Sequence, residues 1–339
     1  MAGKIRFSNL VIGFQHWHKI EGLGTWYSDF QRTAEQYWSP KSTFAYIKYD
    51  KQINSKIAFS SFARYKLHGY HPQTYLTKVS AYKNEKLGIE DLLLGAEPTI
   101  DTTYFSTISN QVRIENRLYY TPGKYFTVVA GMENRLSSIQ DNYATSSQPY
   151  PLETEGGAGV THYFSQDFGL FTQATYKFRG IIPALNGLNI AAGIRWDNNR
   201  IWDRGGYEDN YSPRIVGVYS KKRFVFKAIY AEAYKTPTNF DLYSTVAGSR
   251  DTSNAGLKPE YVTNTELSIR YFLDKKKLSS IEILAYNASY KNALETRKVE
   301  FGNAGVQTSQ FSSVGLRNIK GIEVNADYRW NTSFGQFYF

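Results

Sequence analysis

The sequence predicts an all-β fold, an antiparallel transmembrane β-barrel, and three observations support this prediction. Apolar and polar side chains alternate along many segments, most regularly over 262–272 and 319–330. A period of two is typical of a strand with one apolar and one polar face. Short and long connections also alternate along the chain. Finally, 28 tyrosines among 339 residues would supply the aromatic bands that barrels place at both membrane interfaces.

The amino-acid composition excludes several classes of protein. No run of 18 apolar residues occurs, so a helical membrane protein is excluded. The mean hydropathy of −0.47 is compatible with a barrel, because alternate residues face a wet lumen. The net charge of +10 is spread over strands and turns. It accompanies no recognition helix, aromatic–basic motif or zinc spacing, so nucleic acid is not a predicted partner.

About twelve strands can be placed, each near the ten residues that cross a bilayer at a tilt. They are predicted at 5–18, 44–53, 57–67, 111–120, 125–135, 168–178, 188–196, 213–219, from 224 to the stop at Pro237, 262–272, 281–291 and 319–330. Pro237 ends its strand because proline has no backbone N–H to donate to a neighbouring strand.

The connections separate into two kinds that alternate. Short turns are predicted at 54–55, 121–124, 221–223 and 273–278, and long loops at 19–41, 68–110, 136–166 and 197–211. A soluble sandwich has no reason to keep its long loops at one end. An outer-membrane barrel does, because it has short periplasmic turns and long extracellular loops.

Several motifs resemble those of TonB-dependent outer-membrane receptors. They are Ala-Tyr-Lys-Thr-Pro-Thr at 233–238, Asn254 with Leu-Lys-Pro-Glu at 257–260, and Glu-Leu at 266–267, together with Gly-Ile-Arg-Trp-Asp at 193–197, Ser-Pro-Arg at 212–214, Phe-Gly-Asn at 301–303 and Lys-Gly-Ile-Glu at 320–323. Two positions depart from the family pattern: Lys235 replaces its usual arginine, and Trp196 replaces its usual tyrosine.

The resemblance implies a fold, a location and a function. Family barrels have 22 strands and an N-terminal plug domain, so residues 1–339 are expected to be a partial barrel domain, without the plug and the last strands. The location implied is the outer membrane of a Gram-negative cell. The function implied is TonB-dependent active uptake of a scarce ligand: an iron–siderophore, haem, cobalamin or an oligosaccharide.

The resemblance also implies partners. They are outer-membrane lipid, the plug domain, the TonB complex of the inner membrane and a small-molecule or oligosaccharide ligand. Whether a surface lipoprotein caps the loops is an open question at this point. No cofactor is expected.

Polar residues on the predicted strands are candidates for the lumen wall. In the family such residues contact the plug, and the alternative is a solvated wall with no specific partner. The candidates are Arg195, Asp197, Glu266, Arg270, Glu323, Asp327 and Arg329.

Aromatic residues in the predicted outer loops are candidates for ligand binding. Rings at loop tips suit a planar or sugar ligand through stacking, and the alternative is that they only pack the loops together. The candidates are Trp38, Tyr70, His71, Trp202, Tyr207 and Tyr243. No metal site is predicted, because most histidines in loops bind nothing and the aspartates of 197–209 lack the spacing of a calcium loop.

No catalytic function is predicted. The sequence contains no nucleophile-elbow, zinc-protease or phosphate-loop motif, and its carboxylate pairs have no distinguishing spacing. Two other classes stay open. One is a passive outer-membrane porin or channel, and the other is a soluble carbohydrate-binding β-protein.

Overall fold

The structure is a computed structural model. It describes residues 1–21, 37–71, 73–79, 100–140, 144–146, 148–149, 162–180, 182–202, 205–207, 209–238, 241–242, 251–252, 254, 256–301, 306–332 and 334–338.

One 13-stranded sheet dominates the fold, and every neighbouring pair in it is antiparallel. In spatial order its strands are β1 (Ala2–Phe7), β2 (Leu10–His18), β3 (Pro40–Gln52), β4 (Ile57–Tyr70), β7 (Ile108–Gly123), β8 (Phe126–Gln140), β10 (His162–Lys177), β11 (Leu188–Ile201), β12 (Asp209–Lys221), β13 (Phe224–Lys235), β15 (Glu260–Phe272), β16 (Ser280–Lys291) and β19 (Arg317–Asp327). The order follows the chain, so the sheet is an up-and-down wall with β1 and β19 at its edges.

Smaller sheets lie in the long connections. One is formed by β5 (Thr74–Val79), β6 (Ile100–Ser106) and β9 (Ala144–Ser146), and another by β14 (Asp251–Thr252), β17 (Leu294–Phe301) and β18 (Val306–Ser313). The pairing of β14 with β18 is parallel. A hairpin of β20 (Arg329–Thr332) and β21 (Gly335–Tyr338) follows the main sheet, and a 3-10 turn at Pro183–Leu185 lies between β10 and β11. No helix in the described ranges is long and apolar enough to cross a bilayer.

The two faces of the main sheet carry different side chains: apolar side chains are exposed and charged side chains are buried, which is the reverse of the distribution in a soluble protein. Large apolar side chains are exposed on one face, with Leu267 60% and Ile322 76% accessible to solvent. On the other face carboxylates are buried, with Glu133 6% and Asp197 4% accessible. An apolar outer band and a polar interior are the arrangement of a transmembrane β-barrel. This distribution contradicts the soluble alternative, because that fold would bury its apolar face.

The short turns are held by local hydrogen bonds. The Asn54 side-chain oxygen accepts from the backbone N–H groups of Lys56 at 2.8 Å and Ile57 at 3.0 Å. The Asp274 carboxylate accepts from the N–H groups of Leu278 at 3.0 Å and Ser279 at 2.7 Å. The Ser279 N–H, followed by its neighbours, lowers the pKa of Asp274 below 3.8. Each turn therefore fixes the register of the strands on either side of it.

The predicted strands differ from the observed ones in several places. The predicted strand 5–18 is a hairpin, in which Phe7 pairs with Leu10 and Ser8 has a φ of 50°. A two-residue turn without glycine or proline leaves little trace in the hydrophobic pattern. The predicted strand 319–330 stops at Asp327, and the predicted loops at 68–110 and 136–166 contain strands of the smaller sheets, as does the connection after 291. The strands β8, β10, β11 and β12 extend into the predicted loops 136–166 and 197–211.

Candidate functional site

A charged cluster occupies the polar face of four adjacent strands, β7, β8, β10 and β11. We call it the arginine–carboxylate cluster. Its members are Arg113, Glu115, Arg117, Glu133, Arg135, Asp167, Arg195 and Asp197. All of them occupy alternate strand positions, which is why one face of the sheet presents them together.

Strand register arranges the cluster in three rows that cross the sheet. The middle row is acidic and runs Glu115, Glu133, Gly169, Asp197. On the side nearer the long connections lies the row Arg113, Arg135, Asp167, Asn199, and on the other side lies the row Arg117, Gly131, Phe171, Arg195. Like charges directly opposite each other destabilise a sheet, so the acidic row depends on the arginines of its two neighbours.

Glu133 is the centre of this arrangement. One of its oxygens accepts a hydrogen bond from Arg113 Nη2 at 2.9 Å and lies 3.6 Å from Arg195 Nη1. Its other oxygen lies 3.1 Å from Arg135 Nε. Three guanidinium groups from three strands therefore surround one buried carboxylate. Such an arrangement stabilises a buried charge, because each oxygen has a cationic partner.

The remaining acids have their own partners. Arg195 forms a two-atom contact with Asp197, with Nε 2.7 Å from Oδ2 and Nη2 2.5 Å from Oδ1. The Asn199 side-chain amide donates to Asp167 at 2.6 Å. The carboxylates of this cluster are thus satisfied within the wall, and its charges are balanced.

A phenylalanine ring lies between two of the arginines. The guanidinium carbons of Arg117 and Arg195 lie 5.8 Å and 5.7 Å from the ring centre of Phe171, within range of cation–π attraction. These three side chains, with Arg214 and Glu232, line a cleft of about 560 Å³ on the polar face. The cleft combines an apolar floor with a rim of arginines and glutamates.

Two glycines provide the space for these side chains. A Cβ at Gly169 would lie 2.5 Å from Arg195 Nη2 and 2.5 Å from Asp197 Oδ1. A Cβ at Gly131 would collide with the ring of Phe171. At Gly131 the Cβ would also lie 2.5 Å from the backbone oxygen of Asn116, so this position excludes a side chain, whereas at Gly169 an added Cβ would displace the Arg195–Asp197 pair.

A second charged group lies on β15 and β16, separated from the first by β12 and β13. Glu282 accepts from Arg270 Nε at 3.1 Å and from the Ser268 hydroxyl at 2.8 Å. On the same face of β15, Glu266 accepts from the Asn264 amide at 2.6 Å. The structure thus places the predicted Glu266 and Arg270 on one polar face and adds Glu282, which the sequence prediction did not include.

The three remaining lumen candidates lie at the last edge of the sheet. Glu323 and Asp327 share a face of β19, and Asp327 accepts from the Ser280 hydroxyl at 3.3 Å. Arg329 lies beyond the break at Tyr328, in β20, and its backbone N–H donates to Ser279 Oγ at 3.1 Å. The alternation that grouped Arg329 with Asp327 therefore stops between them.

At the long-connection end, aromatic rings form a cluster. The ring of Trp38 lies 4.7 Å from that of Tyr70 and 6.0 Å from that of Phe105, measured between centres. Tyr37 pairs with Tyr75 through their backbones, and their rings stack at 6.2 Å. These contacts join the end of β4 to β5 and β6, so the rings hold the long connections together.

Two histidines stack beside this cluster. The rings of His18 and His71 are 5.5 Å apart and nearly parallel, and His18 Nε2 is hydrogen-bonded to the Ser39 hydroxyl at 2.5 Å. Burial lowers the pKa of His71 below 6.5, and the charges of His18 and Lys41 lower it further. Within the ranges that the structure describes, no three histidine or acidic side chains converge as a metal site would require.

The other loop candidates lie elsewhere. Trp202 is half exposed, and its ring lies 6.1 Å from that of Phe164. Both rings line a groove with Val112 and Leu136 of the apolar face, so Trp202 is placed to contact lipid. Tyr207 donates its backbone N–H to Asn199 and accepts from Asn210 through its carbonyl. Tyr243 lies outside the described residues.

Sequence reasoning missed most of the arginine–carboxylate cluster. Of its eight members, only Arg195 and Asp197 were among the candidates. The available signal was the alternation of Arg113, Glu115 and Arg117 in one predicted strand, followed by the charged end of the next strand. Charged residues at period two on adjacent strands indicate a shared polar face.

Comparisons identify the family. The chain matches the family of TonB dependent receptor-like β-barrels over residues 4–338, and it therefore belongs to that family. The family is one of receptors, not of enzymes. No curated protein matches the sequence.

Solved structures agree on the fold. The copper transporter OprC matches with a TM-score of 0.62 at 12% identity over 96% of this chain and 48% of its own. The siderophore receptor PirA of Pseudomonas aeruginosa matches with a TM-score of 0.51 at 13% identity, over 96% and 61%. A ferric enterobactin receptor mutant of the same organism, in complex with enterobactin, has a TM-score of 0.51 at 15% identity, over 96% and 56%. The chain thus spans about half the length of the structures that it matches.

Proposed function

We propose that this chain is the barrel wall of an outer-membrane receptor that takes up a scarce ligand by TonB-dependent transport in a Gram-negative cell. The observation that carries the proposal is the family match over residues 4–338. The inverted distribution of side chains agrees with it, because an apolar outer face and a charged inner face suit a wall between lipid and an aqueous lumen. The receptor's plug and further strands would come from the rest of the protein.

The polar face is the proposed contact surface for the plug. The residues concerned are Arg195, Asp197, Glu266, Arg270, Glu323 and Asp327. Arg329, which lies beyond this face in β20, is proposed as a further contact. The cleft beside Phe171 supports this role, since it opens on the polar face and is lined by arginines and glutamates around an apolar ring. The TonB complex would pull on the plug and thereby open a path beside this wall.

The ligand would bind at the long-connection end. The half-buried rings of Trp38, Tyr70 and His71 favour a small molecule or oligosaccharide with a planar or ring-shaped face, among iron–siderophores, haem, cobalamin and oligosaccharides. Tyr207 and Tyr243 are proposed as further contacts. Trp202, on the apolar face, is the least favoured of the six candidates.

Uptake of labelled candidate ligands by cells that produce the full-length receptor tests the proposal. Uptake is expected to require both the receptor and TonB. Trp38→Ala is expected to weaken ligand binding about tenfold, the loss of roughly one ring-stacking contact. Trp202→Ala is the matched control and is expected to bind normally. Uptake that continues without TonB would overturn the proposal and favour a passive porin.

A further inference from the structure

Two neighbouring short turns carry a dense group of positive charges. We call it the basic turn patch, and it consists of Lys221, Lys222, Lys275, Lys276 and Lys277. The turns are adjacent because β13 pairs with β15. Arg223 holds them together: its carbonyl accepts from the Phe272 N–H at 2.9 Å, and its guanidinium donates to the Leu273 carbonyl at 3.2 Å.

The charges of the patch are exposed and not neutralised within the wall. All five lysines are exposed. Asp274 is the acidic residue within these turns, and its carboxylate is occupied by backbone N–H groups at 2.7–3.2 Å. Over 209–238 and 256–301, no ion pair joins a lysine of the patch to an acid. At the opposite end, by contrast, Lys235 pairs with Glu260.

A row of aromatic rings lies directly beside the patch. On the apolar face at these strand ends, Phe224 lies 4.8 Å from Tyr271 and 6.0 Å from Phe226, and Phe226 lies 6.4 Å from Tyr219. Lys221 follows Tyr219 by two residues and so shares its face. A row of aromatic rings at the end of an apolar band marks the level of lipid headgroups.

We propose that the basic turn patch binds anionic phospholipid headgroups in the leaflet that the short turns meet. The apolar band contacts the acyl chains, and the aromatic row lies where these chains join the headgroups. The lysines lie at the level of the phosphate groups. The ammonium of Lys277 lies 5.3 Å from the ring centre of Phe272. A lysine of the patch can attract an anionic headgroup without breaking an ion pair. Membrane lipid surrounds this level of the wall at all times, which favours lipid over an acidic soluble protein as the occupant.

Native mass spectrometry of the full-length receptor, delipidated in neutral detergent, tests this assignment. The receptor is titrated with phosphatidylglycerol and with phosphatidylethanolamine of the same acyl chains. Wild type is expected to prefer phosphatidylglycerol. A triple variant with Lys221, Lys275 and Lys276 changed to Gln is expected to lose at least tenfold in affinity for it, since each cation near a charged surface contributes roughly fivefold. The corresponding Lys→Arg triple is expected to retain the preference.

A second triple variant, which removes the same number of positive charges elsewhere, is the control for total charge. Lys66, Lys258 and Lys291 are exposed lysines at the long-connection end, and changing them to Gln should leave the preference intact. Equal losses in both triples would overturn the proposal, as would an unchanged preference in the patch variant. Binding of polyglutamate more tightly than phosphatidylglycerol would also overturn it and would assign the patch to an acidic protein.

Discussion

The substitution Glu133→Gln tests whether the arginine–carboxylate cluster stabilises the wall. Glutamine keeps the shape of glutamate and one acceptor oxygen, but it removes the negative charge at the centre of three guanidinium groups. Arg113, Arg135 and Arg195 lie 2.9, 3.1 and 3.6 Å from the two carboxylate oxygens. The substitution therefore leaves these arginines without their shared counterion.

The expected loss of stability follows from burial. Removing one partner of a fully buried ion pair costs about 3–5 kcal/mol. Here the carboxylate side chain is 8% accessible, whereas the arginines are 28–36% accessible. Water can therefore solvate the guanidinium groups in part when the carboxylate is removed. The expected loss in the free energy of unfolding falls to about 2 kcal/mol, close to the contribution of one charge-assisted hydrogen bond.

Denaturant unfolding of the full-length receptor in detergent, followed by tryptophan fluorescence, measures this cost. Glu295→Gln is the matched control, because Glu295 is exposed in β17. Arg113→Gln combined with Glu133→Gln should cost less than the sum of the two single variants, since the two side chains interact directly. The reasoning is refuted if Glu133→Gln unfolds at the same midpoint as Glu295→Gln.

Three further outcomes are expected. Gly169→Ala should destabilise the barrel by about 1–3 kcal/mol in the same unfolding assay, because the new Cβ collides with the Arg195–Asp197 pair. The protection factor of the β5 amides, which is the intrinsic exchange rate at each pH divided by the observed rate, should fall as pH drops below 6.5. Burial lowers the pKa of His71, so the unfolded state binds more protons, and the stabilisation present above 6.5 is lost as pH falls through the lower folded value. Asp274→Ala should speed exchange in the turn 273–279, and the wild-type turn should loosen only below pH 3.8, because the pKa of Asp274 is lowered.

Each of these outcomes has its own control. Gly217→Ala places a Cβ in open space in β12, and a loss equal to that of Gly169→Ala would contradict the collision. His71→Gln should remove the pH dependence of the β5 protection factors, and a dependence that survives this substitution would assign it to another group. For Asp274, the distant turn built around Asn54 provides the reference, and it should exchange at the wild-type rate.

The sequence determined the architecture of this protein to a large extent. Alternation located most wall strands, since the lipid and the lumen impose opposite chemistries on successive residues. Turn residues such as Asn54 and Asp274, and the stop at Pro237, indicated where strands end. The motif residues around 233–267 indicated the family that the match over 4–338 shows. All of these features are local, so a single sequence displays them.

Only the tertiary structure decided which side chains meet. The alternation of apolar and polar residues predicts that Glu133 and Arg195 lie on the polar faces of their strands. Only the register of β8, β10 and β11 brings the two side chains within 3.6 Å of each other. The same register places Gly169 between Glu133 and Asp197, where an added Cβ would collide with the Arg195–Asp197 pair. The sequence also did not show that Trp202 turns to the apolar face beside Phe164. Contacts across a sheet depend on how strands are aligned with each other, and alternation within one strand carries no information on that alignment.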